Sequence, residues 1–148
     1  MSTIIIFIRL QRICFFALGL FATSPAIAED YFAMLDVRYD TGLKKTFLGG
    51  PYKDKPFCEK NNQTVWDNVQ PVCGNCKREL QICGKWSELN DPLRKVMRGE
   101  PAPHFYVSAT PKNKIIFSGA SRAVVEEECE LNARMFRENG YATARCIR

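Results

Sequence analysis

The sequence predicts an α+β fold of two small ββαβ units stapled by three disulfides. Six cysteines follow a short apolar leader, and short segments with period-two alternation flank longer segments with helical periodicity. The order of these segments is nearly the same in both halves of the chain. The 148 residues include 46% hydrophobic residues, which excludes a chain that is disordered by default.

Residues 1–28 have the pattern of a secretory signal peptide. Arg9 and Arg12 precede an apolar run at residues 13–22, which is shorter than a membrane span requires. The Ala26-Ile27-Ala28 sequence has the small-x-small pattern that signal peptidases recognise, so we predict cleavage after Ala28. The mature protein is then expected to be periplasmic or secreted. The alternative is an uncleaved anchor that starts further upstream, but the two arginines interrupt that stretch.

The charge of the mature chain is mild. Loss of Arg9 and Arg12 lowers the formal net charge from +5 to +3, too little to indicate binding of nucleic acid or a membrane surface. No later apolar run has the length of a span. We therefore expect no transmembrane segment in the mature chain, no nucleic-acid partner, no cofactor and no metal.

Cleavage also removes Cys14, and six cysteines in an exported chain indicate three disulfides. Sequence alone allows about 15 pairings. One alternative joins Cys58 to Cys76 and Cys73 to Cys83. The favoured scheme follows from the repeated order of elements: Cys58–Cys83, Cys73–Cys76 and Cys129–Cys146.

The first unit, residues 29–86, is predicted to contain two strands, a helix and a third strand. Residues 31–39 alternate, and a second strand ends at Gly49-Gly50-Pro51. Asp54 is expected to cap the helix. The helical propensity of this segment is low because of Asn61 and Asn62. A strand over residues 78–83 follows. We predict this apolar side for the helix: Phe57, Cys58, Val65, Trp66 and Val69.

Residues 87–103 are predicted to form a connector. Asp91 is the expected N-cap of a short helix, Pro92 its first residue and Gly99 its end. A proline-rich spacer then leads into the second unit.

The second unit, residues 104–148, repeats the same order. Strands are predicted at residues 105–107 and 115–117, and Ser121 is expected to cap a helix that continues to Asn139. A last strand covers residues 141–146.

An internal duplication is the interpretation of this repeat. Phe47 is followed by a glycine two residues later and by a Cys-Glu pair that starts at Cys58. Phe117 is followed in the same way by a glycine and by a Cys-Glu pair at Cys129. These fixed positions are few, and chance resemblance is the alternative.

The Cys73-Gly74-Asn75-Cys76 sequence is the one motif that could carry redox chemistry. A redox-active pair needs a stabilised thiolate, typically at the start of a helix. The segment before Cys73 reads as a loop, so a small structural clip is the favoured interpretation. Zinc held by Cys58, Cys73, Cys76 and Cys83 is a weaker alternative, because a second C-x-x-C is missing.

Other polar residues favour structural explanations. His104 is the only histidine and has no catalytic motif beside it. The acids at residues 126–128 suit the first turn of a helix. We expect the lysines in the turns to be solvated: Lys44, Lys45, Lys112 and Lys114. We expect the large aromatic residues to fill the core: Trp66, Trp86 and Tyr106.

The sequence therefore favours an exported binding, adaptor or inhibitor-type module without catalytic activity, whose partner is another exported or envelope protein. One alternative is a thiol-disulfide redox protein or sensor that uses Cys73 and Cys76. Another is an accessory component of a cell-envelope or secretion assembly.

Overall fold

The computed structural model describes residues 29–148. The predicted signal peptide and the cleavage site after Ala28 lie outside these residues. Within them, no helix combines the length and apolar character that crossing a membrane requires.

The fold is α+β, as predicted, with six strands in one antiparallel sheet. Across the sheet the strand order is β3-β1-β2-β5-β4-β6. The elements are β1 (Tyr31–Arg38), β2 (Lys44–Tyr52), α1 (Lys55–Val69), β3 (Lys77–Lys85), α2 (Asp91–Arg98), β4 (Phe105–Ser108), β5 (Asn113–Ser118), α3 (Arg122–Glu138) and β6 (Arg145–Ile147).

Alternation along the strands builds one core on each face of the sheet. On one face α3 packs over Val107 and Phe117, while α1 contacts the strands of the first half. On the other face, α2 packs over Phe32, Tyr106 and Ile116. Each face of the sheet is therefore covered by a different set of helices.

The two halves pair their strands in the same way. Adding 70 to the residue numbers of the β1–β2 pair Asp36–Thr46 gives the β4–β5 pair Tyr106–Ile116. The halves meet where β2 pairs with β5, and Thr46 lies opposite Ile116 there. The element order is thus shared, whereas duplication of the sequence stays a prediction.

Three predicted boundaries were wrong. The cap of α2 is Asn90, whose side chain accepts the Leu93 N–H, so Asp91 lies inside the helix. Strand β2 continues to Tyr52 instead of ending at the glycines. The last strand is shorter than predicted because the Ala144 N–H donates to the Tyr141 carbonyl and closes a turn before β6.

The predicted apolar side of α1 also needs correction. Asp54 caps the helix by accepting the Phe57 N–H, as expected. However, Phe57 is 53% exposed, and the buried residues of α1 are Cys58 and Asn62. Asn62 was expected to weaken the helix, yet it anchors the helix to the sheet.

The three disulfides join Cys58 to Cys83, Cys73 to Cys76 and Cys129 to Cys146. This is the pairing that the repeated element order favours. The first and third tie α1 to β3 and α3 to β6, so each long helix is fixed to the last strand of its own half.

Candidate functional site

An apolar cleft opens between α1 and α3, above the strands where the two halves meet. Its volume is about 220 Å³. We call it the inter-helix cleft. Its lining comprises Ala33, Phe47, Leu48, Gly49, Tyr52, Asn62, Val65, Ala109, Thr110, Asn113, Lys114, Ile115, Phe136 and Tyr141.

The floor of the cleft is set by strand register. Phe47 of β2 lies opposite Ile115 of β5, so both side chains point to the same face of the sheet. Val65 of α1 lines one side and Phe136 of α3 the other. Each helix is bound to its own half, which leaves a gap at the junction of the halves.

Polar groups gather at one end of the cleft. A Cβ atom on Gly49 would lie 2.8 Å from Tyr52 Oη and 3.4 Å from Asn113 Oδ1, so glycine allows the phenol to approach the backbone. Burial raises the pKa of Tyr52, which keeps its hydroxyl protonated and able to donate. The cleft thus combines an apolar floor with hydrogen-bonding groups at its edge.

Asn62 fixes the position of α1 beside the cleft. Its amide group donates to the Met34 carbonyl at 3.0 Å and to the Ile82 carbonyl at 2.9 Å. One side chain therefore ties the helix to both β1 and β3. Because both amide hydrogens are engaged, Asn62 holds the cleft wall in place.

The Cys73–Cys76 disulfide lies away from the cleft, after α1 and a short 3₁₀ turn over Gln70–Val72. The Cys73 N–H donates to the Val69 carbonyl, which places Cys73 at a C-terminal helix end. The partial negative charge of such an end disfavours a thiolate. In redox-active pairs the reactive cysteine typically lies at the opposite, N-terminal end of a helix.

The zinc alternative for the first four cysteines was wrong, since all four form disulfides. No group of three or more metal-binding side chains occurs within residues 29–148. His104 is exposed just before β4 and lies outside the cleft lining. The acids at residues 126–128 were expected in the first turn of their helix, which was wrong: α3 begins at Arg122 and its first turn holds no acid. Glu128 pairs instead with Lys45 at 3.0 Å.

The expectation of solvated turn lysines was wrong for three of the four. Lys44 and Lys45 lie in β2 and form ion pairs with carboxylates, and Lys114 is only 3% exposed. Strand β5 begins at Asn113, so Lys114 belongs to the sheet and points to the α2 face with Ser108. The expected role of the aromatic residues in the core is confirmed for Tyr106, which is fully buried, and Trp86 packs against Phe32. Trp66 lies instead beside the Arg78 guanidinium.

The inter-helix cleft itself was missed by sequence reasoning. Its residues come from distant segments, and only the β2–β5 pairing brings them together. Gly49, a glycine inside strand β2, is the one local signal in the sequence that a side chain approaches the backbone closely there.

Comparisons of this chain with protein-family models, with curated proteins and with solved structures find no match.

Proposed function

We propose that this protein is an exported, non-catalytic binding module that takes one bulky apolar side chain of another exported protein into the inter-helix cleft. The observation that carries the proposal is the cleft, with its apolar floor of Phe47 and Ile115. The three disulfides support export, because such bonds persist in oxidising compartments.

The size of the cleft favours a side chain over a whole cofactor. Pockets for drug-sized ligands hold roughly 300–1,000 Å³, whereas this cleft holds about 220 Å³. Tyr52 and Asn113 at the rim are suited to hydrogen bonds with the main chain that carries such a side chain. An extended peptide with an aromatic anchor fits both features.

The redox alternative has less support. Cys73 follows a helix instead of preceding one, and the pair lies outside the cleft. A role in an envelope or secretion assembly stays a prediction. We also propose that the two halves arose by duplication, with the cleft at their junction, since the 70-residue offset relates their strand pairs.

Selection from a random displayed-peptide library tests the binding proposal. We expect the selected peptides to share an aromatic residue and to lose binding to the Val65→Lys variant, whose charge lies in the cleft wall. Val124→Lys is the matched control, because Val124 is an exposed valine on α3 outside the cleft. Peptides without an aromatic residue, or equal binding to both variants, would reject the proposal.

A further inference from the structure

A second groove, on the opposite face of the sheet, is lined by basic residues. It lies between the C-terminal end of α2 and the β4–β5 turn and has a volume of about 710 Å³. No acidic residue is among its lining residues. We call it the basic groove, and its polar residues are Arg98, Ser108, Thr110, Lys114, Thr143 and Arg145.

Strand register places two of its cations in one row. Ser108 of β4 lies opposite Lys114 of β5 on one side and opposite Arg145 of β6 on the other. Directly opposite residues point to the same face of a sheet. Lys114 and Arg145 therefore flank the Ser108 hydroxyl on the face that α2 covers.

The three oxygen atoms around the Lys114 amine favour its ammonium form, whereas burial lowers the pKa of this group. Its Nζ donates to Ser108 Oγ at 2.7 Å, to the Thr110 carbonyl at 2.7 Å and to the Pro111 carbonyl at 3.3 Å. Three hydrogen bonds use every donor of an ammonium, while a neutral amine has one donor fewer. All three acceptors are neutral, so this buried charge has no counter-ion from the described residues.

The other charges leave the groove positive. Arg98 is engaged by the Glu100 carboxylate through two of its nitrogens, so these two charges offset each other. Arg145 is exposed and forms no ion pair among the described residues. The uncompensated charge is therefore that of Lys114 and Arg145. A buried charge without a counter-ion is costly, and an anionic ligand would offset that cost.

We propose that the basic groove binds a phosphate monoester. Such a group carries about −1.5 to −2 charges at neutral pH, which matches the two uncompensated cations. Arg145 and the hydroxyls of Ser108 and Thr143 would donate to its oxygens. Lys114 would act through its charge, because its own hydrogens are already engaged. This proposal does not rest on the function proposed for the inter-helix cleft, although Ala109, Thr110 and Lys114 line both sites.

Titration of the purified protein with methyl phosphate, at constant ionic strength and followed by NMR amide shifts, tests the site. We expect saturable shifts at Gly99, Ser108 and Thr143, which line the groove and not the cleft, and binding at least tenfold weaker to both Lys114→Met and Arg145→Gln. The Arg145 variant keeps the test valid if loss of Lys114 impairs folding, because Arg145 is exposed. Lys112→Met is the matched control, since it removes a charge from the same turn outside the groove.

Glucose 6-phosphate and vesicles containing phosphatidic acid extend the test to the two sources of a phosphate monoester. Tighter binding of one of them identifies the source as a soluble metabolite or a lipid headgroup. Shifts that do not saturate, methyl sulfate binding as tightly as methyl phosphate, or equal weakening in Lys112→Met would overturn the proposal.

Discussion

Asn62 and Lys114 show how tertiary context decides the role of a polar residue. Asn62 has a poor helical propensity, and yet its buried amide joins α1 to two strands. Lys114 follows a turn in the sequence, and yet its side chain is buried and hydrogen-bonded to Ser108, Thr110 and Pro111. Propensity and local pattern did not predict either role: the partners of Asn62 come from distant strands, and those of Lys114 lie in its own β4–β5 hairpin.

Replacement of Asn62 should destabilise the protein far more than replacement of its neighbour. We expect Asn62→Ala to cost about 1–3 kcal/mol, because two main-chain carbonyls lose a donor in a buried site. Asn61→Ala is the control, since its amide donates only to the Phe57 carbonyl of its own exposed helix turn. Urea unfolding measures the free energy of unfolding of both variants. Equal losses of stability would show that the Met34 and Ile82 carbonyls find other donors.

At the scale of elements, the sequence was informative wherever a local signal determines structure. Asp54 and Ser121 cap α1 and α3, and Gly99 ends α2 in a left-handed conformation, all as predicted. Strand ends were less predictable, because β2 extends through its glycines to stay paired with β1. Pairing is a long-range property, and local composition does not encode it.

The disulfides should contribute unequally to stability. Cys58–Cys83 and Cys129–Cys146 join residues 25 and 17 positions apart, whereas Cys73 and Cys76 are 3 apart. Because a disulfide lowers the entropy of the unfolded chain, we expect each of the longer loops to stabilise the fold by about 3 kcal/mol or more. The short loop should contribute about 2 kcal/mol at most. Paired Cys→Ser variants, compared by denaturant unfolding, check this order.

A loss at Cys73–Cys76 as large as at the two longer loops would contradict that order. It would mean that the short disulfide holds the end of α1 against β3 and is more than a local clip.

At the scale of the whole molecule, the pairing of two similar halves creates a cleft that neither half contains. The inter-helix cleft spans the β2–β5 junction, with α1 on one side and α3 on the other. The basic groove lies on the opposite face, beside α2 of the connector. The sequence predicted the order of elements and the disulfides, but the cleft depends on the β2–β5 pairing and the groove on where α2 packs, which no single motif specifies.

The most direct test of the binding proposal is a titration of the ¹⁵N-labelled protein with N-acetyltryptophanamide, with N-acetylalaninamide as the apolar control. We predict saturable shifts for the tryptophan probe at amides that line the cleft and not the basic groove, such as Gly49, Asn62 and Val65. Millimolar affinity is sufficient, because a single side chain supplies little binding energy. Shifts that fail to saturate, or that fall outside the cleft, would contradict the account.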